Sequence, residues 1–194
     1  MASSSRVQLE VWLANKDVSG KVLDVGGAQE PLKGRVGQRF ETEFHILDLP
    51  TPHEEKVKAD IVWDLNLPFQ GNSGRHYEAY DVVACLEVTE YFWNPVVAIA
   101  NMAYFLKKGG RLLISFHFLY PLHAPEGLDY LRYTEYGAKK LLEVCGFEIV
   151  DFTDRMAGDY KVYPWDVFNS AEKTHPLKRY DHRKIGCLIE AIKK

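Results

Sequence analysis

The stretch KVLDVGGAQEP, residues 21–31, decides the fold of this chain. Its first five residues are mostly apolar, and such a run predicts a short buried strand. The glycine pair that follows predicts a tight turn, because glycine adopts backbone conformations that are closed to other residues. A buried strand that leads into a glycine turn is typical of α/β sheets, whose ligands bind beyond the carboxyl ends of the strands.

Strands and helices alternate along the rest of the sequence. Further strands are predicted at residues 44–47, 59–63, 81–86, 111–118, 147–152 and 185–192. Helices are predicted at residues 7–14, at 96–106 after Pro95, and at 135–145 after the capping residue Thr134. The run Lys107-Lys108-Gly109-Gly110 is expected to end the second helix. Alternation of this kind implies crossover connections and a mainly parallel sheet.

The size and composition of the chain fit one domain. The 194 residues, 46% of them apolar and 26% charged, predict a single domain over residues 1–194. Residues 153–184 separate the last two predicted strands. Because this stretch is too long for a hairpin loop, we expect a lid or an insertion before the last strand.

The charge, the apolar runs and the cysteines narrow the classes of function. The formal net charge is -3 and there is no long basic run, so nucleic acid is not a favoured partner. No apolar stretch is long enough to span a membrane, and the first residues lack the apolar core of a secretory signal. Cys85 and Cys187 lie inside apolar runs and are predicted to be structural thiols. A cytoplasmic location is expected.

Acidic residues lie at or near the ends of four successive predicted strands: Asp24, Glu30, Asp48, Asp64 and Glu87. Each of them alone is as readily a cap or a turn residue. As a set they predict an acidic crevice at one edge of the sheet.

The glycine turn and these acids discriminate between cofactors. A dinucleotide fingerprint requires G-x-G-x-x-G/A, but Ala28 and Pro31 occupy the second and third glycine positions. Asp24 and Glu30 would also repel a pyrophosphate. S-adenosylmethionine (SAM) has no phosphate and carries a sulfonium and an ammonium, so the same acids favour it. A nicotinamide oxidoreductase is therefore disfavoured.

Taken together, the motifs between about residues 20 and 152 resemble those of the class I SAM-dependent methyltransferases, in particular the small type 11 branch. The matching stretches are VLDVGG (22–27), HILD (45–48), DIVWDL followed by LPF (60–69), YDVVACLEV and NP (80–95), and LKKGGRL (106–112). The resemblance implies a Rossmann-like, doubly wound sheet of seven strands whose last strand is antiparallel. It implies that Asp48 holds the ribose hydroxyls and that Asp64 reaches the adenine amine. The implied cofactor-binding set is Asp24, Gly26, Gly27, Ala28, Asp48, Leu49, Asp64, Leu65, Leu86 and Glu87, with S-adenosylhomocysteine (SAH) as the product.

A further stretch, YPLHAP (120–125) followed by DYLRYT (129–134), resembles a subgroup found among glycan and small-molecule methyltransferases. Aromatic side chains suit the walls of a pocket for a small organic acceptor. The residues predicted to bind substrate are Tyr91, Tyr120, Tyr130, Arg132 and Tyr133. For Arg132, a salt bridge with Asp129 and an anchor for an anionic substrate both stay open.

A general base is needed only if the acceptor is protonated at neutral pH. The candidates are His123 and His117, with Asp129 as partner. A half-buried strand residue is the plainer interpretation of His117, while His123 lies in a proline-flanked loop, where function concentrates. His117 and His123 also suggest a metal, but no third ligand is spaced to join them, so no metal is predicted.

Two hypotheses for the function remain. The first is an enzyme that methylates a small-molecule or sugar-like acceptor by in-line transfer from SAM, as a monomer or homodimer. The second is a methyltransferase-like protein that binds SAM or SAH without turnover. Ala28, Glu30 and Tyr91 motivate the second, because the family usually has glycine, glycine and histidine at these places.

Overall fold

A computed structural model describes residues 4–36, 42–70, 74–157 and 184–194 of the chain. The elements follow in the order α1 (Ser4–Ala14), β1 (Lys21–Val25), β2 (Glu43–Asp48), β3 (Ile61–Val62), β4 (Tyr80–Cys85), a 3-10 helix (Thr89–Tyr91), α2 (Pro95–Phe105), β5 (Leu106–His117), α3 (Glu135–Val144), β6 (Phe147–Met156) and β7 (Lys184–Lys193). Every predicted strand and helix is present and in the predicted order, although β1 to β4 follow one another with no helix between them in the described residues.

The strands form one seven-stranded sheet with the order β3-β2-β1-β4-β5-β7-β6. β1 pairs in parallel with both β2 and β4, and β4 pairs in parallel with β5. β7 is antiparallel to both of its neighbours. The predicted Rossmann-like sheet, mainly parallel with an antiparallel last strand, is confirmed.

Helices cover both faces of the sheet, and a separate apolar cluster forms on each face. One cluster contains residues of α2 and α3, such as Ile99, Met102 and Leu142, packed on the central strands. The other contains Leu9 and Leu13 of α1. Cys85 and Cys187 are buried free thiols, as predicted.

The second helix ends one residue before the predicted Leu106, and the strand that follows begins at Leu106 instead of Arg111. Phe105 is the last helical residue, and Leu106 already has extended backbone angles, φ −72° and ψ 137°. Leu106 pairs with Tyr80 of β4, and a register shift then precedes Arg111. Residues 107–110 have no partner in β4 and form an irregular part of β5. Gly110 passes so close to its neighbours there that a Cβ would lie 2.8 Å from the Lys107 carbonyl oxygen.

β6 continues further than predicted, because residues 153–156 still pair with β7. Residues 158–183, which make up most of the predicted lid or insertion, lie outside the described residues. None of the helices in the described part of the chain has the length and apolar character needed to cross a bilayer.

Candidate functional site

A cleft opens at the carboxyl ends of β1, β2, β3 and β4. It encloses about 730 Å³ of space between the protein atoms, a figure that includes the solvent at its open mouth. Six of the predicted cofactor-binding residues line it: Gly26, Asp48, Leu49, Asp64, Leu65 and Glu87. Tyr91, predicted to bind substrate, lines it as well.

The other predicted cofactor residues lie behind the wall of the cleft. Asp24 and Ala28 are buried, and Leu86 packs against the apolar cluster under α1. Asp24 Oδ2 accepts a hydrogen bond of 2.6 Å from the amide of Leu32. A Cβ on Gly27 would lie 2.4 Å from the same oxygen. Asp24 and Gly27 therefore pack against each other on the buried side of the glycine turn, and neither lines the cleft.

Ala28 and Glu30, the two departures within the glycine turn, do not obstruct the cleft. Ala28 is not among the residues with a positive φ, and its amide donates a 3.0 Å hydrogen bond to Asp48 Oδ2. Glu30 is largely exposed and forms an ion pair with Arg6 of α1, away from the cleft. The glycine turn thus accommodates both side chains without narrowing the cleft.

Burial of Asp24 makes the stability of the protein depend on pH. Burial is the largest influence on this carboxyl group and raises its pKa from 3.8 to about 7. The folded chain holds the proton more tightly than the unfolded chain, so the free energy of unfolding falls as the pH rises from 3.8 to about 7. The loss amounts to about 4 kcal/mol at most.

We expect Asp24→Asn to remove this part of the pH dependence and to be at least as stable as the wild type above pH 7. Urea unfolding between about pH 4 and pH 8 measures the effect. Glu126→Gln, an exposed loop carboxyl, is the control and should keep the wild-type slope. An unchanged slope in Asp24→Asn would contradict the assignment.

The rim of the cleft is acidic. Asp48, Asp64, Glu54 and Glu87 all line it, and no lysine or arginine does so among the described residues. Asp64 Oδ1 accepts two hydrogen bonds of 2.9 Å from Asn66, which fixes the orientation of its carboxylate. Such a lining attracts a positively charged ligand.

His53 and Glu54 were missed by the sequence interpretation. Glu54 accepts a 2.9 Å hydrogen bond from the side chain of Gln29, and the His53 ring packs edge-on against Tyr91 at 5.0 Å. They lie in the loop after β2, which carries no motif. Only the position of this loop, directly after the acidic end of a strand, could have signalled them.

Glu87 is a conformationally constrained residue of the cleft wall. Its φ is +59°, a left-handed conformation that non-glycine residues rarely adopt and that often marks functional sites. Burial favours the protonated form, but the charge of Arg155 and the hydrogen bonds from Arg155 and Ser115 outweigh it and lower the pKa of Glu87 to about 2. Glu87 is therefore held as a carboxylate at the edge of the cleft.

Behind Tyr91 lie the predicted catalytic histidines, and their partner differs from the prediction. His123 Nδ1 is 2.5 Å from Glu90 Oε1, a contact that raises the pKa of His123. Asp129 instead accepts the backbone amide of His123 at 2.7 Å. Asp129 as partner of the imidazole is therefore wrong, because its carboxylate is used by the main chain.

Arg132 binds the same carboxylate of Asp129, with one nitrogen 2.6 Å from Oδ2. Its guanidinium also donates to the carbonyl oxygen of Pro121 at 3.1 Å. Of the two alternatives for Arg132, the structure shows the salt bridge.

His117 is more buried than predicted, with 1% of its surface exposed. Burial lowers its pKa, so the ring is neutral. Its Nε2 lies 3.4 Å from Glu90 Oε1, which makes Glu90 a third potential metal ligand beside His117 and His123. The expectation that no third ligand joins the two histidines is therefore wrong.

The predicted substrate tyrosines separate in the structure. Tyr120 packs edge-on against His123 at 4.9 Å, and Tyr130 is exposed in the same loop. Tyr133 belongs to the apolar core instead. It packs on Phe116 at 4.9 Å, and its hydroxyl donates to the carbonyl oxygen of Thr89 at 3.2 Å. Tyr133 thus packs mainly in the core, with 9% of its surface exposed, and its contact with a substrate stays a prediction.

The fold is that of known SAM-dependent methyltransferases. A putative methyltransferase from Bacillus halodurans is 17% identical, with 97% of this chain and 99% of the other covered and a TM-score of 0.57. A SAM-dependent methyltransferase from Mesorhizobium loti is 12% identical over 97% of this chain and 98% of its own, with a TM-score of 0.61.

A different reaction occurs on the same fold. The [4+2]-cyclase SpnF is 18% identical, covers 97% of this chain and 80% of its own, and gives a TM-score of 0.59. No family model matches the sequence, and no curated protein is significantly similar to it. The fold alone therefore does not define the reaction.

Proposed function

We propose that this chain is a SAM-dependent methyltransferase that acts on a small-molecule or sugar-like acceptor. The observation that carries the proposal is the acidic cleft at the carboxyl ends of β1–β4, which has a glycine floor and no basic side chain among its described lining residues. This edge of an α/β sheet is where such folds bind their ligands.

The lining suits SAM in both shape and charge. Gly26 forms part of the floor with a φ of +75°, and a Cβ there would lie 2.5 Å from Val88 Cγ2, so the main chain itself forms the surface. Asp48 would hold the ribose hydroxyls and Asp64 the adenine amine. The sulfonium and the ammonium of SAM match the acidic rim, whereas a pyrophosphate would be repelled.

When bound, SAM supplies a methyl group on a positively charged sulfur, and the protein contributes mainly orientation of the acceptor. Tyr91 and Glu87 form the wall between the cleft and the His123 side. The loop beyond that wall exposes Leu122, Leu128 and Tyr130. Exposed apolar and aromatic side chains beside a cleft suit contact with a small organic acceptor.

We expect calorimetry to detect micromolar binding of SAM and SAH and none of NAD. Asp48→Asn should weaken SAH binding about 10- to 100-fold, because a hydrogen bond to a charged group contributes about 1.5–3 kcal/mol. Glu148→Gln, at an exposed position of β6, is the matched control and should bind normally. Equal affinities in Asp48→Asn and the wild type would place the cofactor elsewhere.

Binding without turnover is the second candidate function, because Tyr91 stands where the resembled family usually has histidine. Its hydroxyl donates to the Ala124 carbonyl oxygen at 2.8 Å and is not free to act as a base. Methyl-labelled SAM incubated with a panel of hydroxyl and amine acceptors separates the two. Labelled product supports the enzyme, and binding with no product in any arm supports the second candidate. The cytoplasmic location, the absence of a nucleic-acid partner and the monomeric or dimeric state stay predictions.

A further inference from the structure

Three potential metal ligands converge next to the cleft, on the far side of Tyr91. Glu90 comes from the 3-10 helix after β4, His117 from the end of β5, and His123 from the loop that follows. One donor atom from each lies within 4.8 Å of the others. Glu90 and His117 are almost completely buried, with 0% and 1% of their surfaces exposed.

The spacing of the donor atoms suits a small divalent ion. Zinc binds histidine nitrogen and carboxylate oxygen at about 2.0–2.2 Å in tetrahedral sites, so two of its ligand atoms lie about 3.4 Å apart. The distance between Glu90 Oε1 and His117 Nε2 is 3.4 Å. His123 Nδ1 lies closer to Glu90 Oε1, at 2.5 Å. It would have to move away from this oxygen by about 1 Å to reach the spacing of two ligands on one zinc ion.

Hydrogen bonding within the cluster leaves buried polar atoms without partners. Glu90 Oε2 and both ring nitrogens of His117 have no hydrogen-bond partner among the described residues. An unsatisfied buried polar atom costs about 1–3 kcal/mol, and such atoms are rare in native proteins. The hydrogen bond between His123 Nδ1 and Glu90 Oε1 satisfies only these two atoms. An ion would engage His117 and the carboxylate as well.

The surrounding hydrogen bonds hold the three ligands in place. The carbonyl oxygen of Glu90 accepts the amide of Tyr130 at 2.8 Å, which ties the 3-10 helix to the loop. Asp129 fixes the backbone of His123, and the carbonyl oxygen of His117 accepts the amide of Tyr133 at 2.7 Å. These bonds fix the main chain from which the three side chains project.

We propose that Glu90, His117 and His123 bind a divalent transition-metal ion, with Zn²⁺ as the ion that this donor set suits best. Two histidines and one carboxylate also suit Fe²⁺ and Co²⁺. The site adjoins the cleft, because Glu87, which lines it, has Oε2 3.5 Å from His117 Nε2. An ion here would offer an open coordination position to an acceptor oxygen. The inference does not depend on the identity of the cofactor.

The test is metal binding by the purified full-length chain. Chelator-treated protein is dialysed against Zn²⁺, its metal content is measured, and the affinity is obtained by competition with a chromophoric chelator. Co²⁺ in place of Zn²⁺ gives visible absorption bands that report the coordination number. We expect one equivalent of Zn²⁺ in the wild type and at least a 100-fold loss of affinity in both His123→Ala and Glu90→Gln.

Two matched controls separate the site from adventitious binding by other histidines and thiols. His76→Ala removes a histidine at the amino end of β4, where its ring stacks on Tyr80 and does not lie on the carboxyl side of the sheet. Cys145→Ser removes the partly exposed thiol. Both should bind Zn²⁺ as the wild type does. SAH binding and circular dichroism, measured on the same samples, show that each variant is folded.

Three results would overturn the proposal: less than about 0.1 equivalent of Zn²⁺ in the wild type, wild-type affinity in folded Glu90→Gln, or an equal loss in His76→Ala. Glu90 and His123 would then form a hydrogen-bonded pair and not part of a metal site. SAH binding and Zn²⁺ binding are measured independently. Absence of Zn²⁺ binding would therefore not contradict the proposed SAM site, and absence of SAH binding would not contradict the metal site.

Discussion

Replacement of Arg155 by methionine is expected to lower the free energy of unfolding by about 3–5 kcal/mol, the usual cost of removing one partner of a buried ion pair. Arg155 has 1% of its surface exposed, and one guanidinium nitrogen lies 2.5 Å from Glu87 Oε1. The other nitrogen lies 3.0 Å from Oε2 and 3.2 Å from the carbonyl oxygen of Ser5. The guanidinium therefore joins α1, β6 and the end of β4, and its loss leaves the carboxylate of Glu87 without its counter-charge.

Denaturant unfolding followed by tryptophan fluorescence measures this loss. The double variant Arg155→Met with Glu87→Gln should recover part of it, because the uncompensated charge is removed as well. Lys140→Met is the control, since Lys140 and Glu143 form an exposed pair at 3.5 Å that contributes little. A loss of less than about 1 kcal/mol in Arg155→Met would show that the buried pair is unimportant.

The pH dependence of the same variant has a definite sign. The pKa of Glu87 is lowered from 4.5 to about 2, so the stabilisation by the pair is present above pH 4.5 and is lost as the pH falls toward 2. The difference between the wild type and Arg155→Met should therefore shrink in acid. A difference that stays constant from neutral pH down to about pH 3 would contradict the low pKa of Glu87.

Local patterns in the sequence were sufficient for most of the fold. The apolar run at residues 21–25 forms β1, and Thr134 caps α3 by accepting the amide of Gly137 at 3.1 Å. Both depend on residues close together in the chain. Residues 107–110 show the limit, because the glycine signal ends the helix as expected, whereas the early start of β5 depends on the pairing of Leu106 with Tyr80, which lies 26 residues earlier.

The candidate site was only partly predictable, because its decisive contacts join distant parts of the chain. Glu90 and His123 are 33 residues apart, and Glu87 and Arg155 are 68 apart. Spacing in the sequence could not reveal either pair. Asp48 and Asp64 do line the cleft, because each lies at or just beyond the carboxyl end of a strand, a position that the fold itself determines. Their roles toward a cofactor stay predictions.

Replacement of Gly186 by alanine is the second change with a large expected effect. Gly186 of β7 pairs with His117, the last residue of β5. A Cβ at this position would lie 2.1 Å from the carbonyl oxygen of Phe116 and 3.3 Å from the Cα of His117. Both contacts are with main-chain atoms, so the strands must separate. We expect a loss of at least about 3 kcal/mol, at the upper end of the usual cost of overpacking.

Gly137→Ala is the matched control for Gly186→Ala, since the nearest atom to its Cβ would be Thr134 Oγ1 at 3.3 Å in an otherwise open helix position. Alanine favours a helix over glycine by about 0.5–1 kcal/mol, so this variant should stay within about 1 kcal/mol of the wild type. Folded Gly186→Ala should also bind Zn²⁺ more weakly, because separation of β5 from β7 displaces His117, whereas Gly137→Ala should bind normally. Wild-type stability in Gly186→Ala would mean that β5 and β7 do not approach as closely as the sheet register requires.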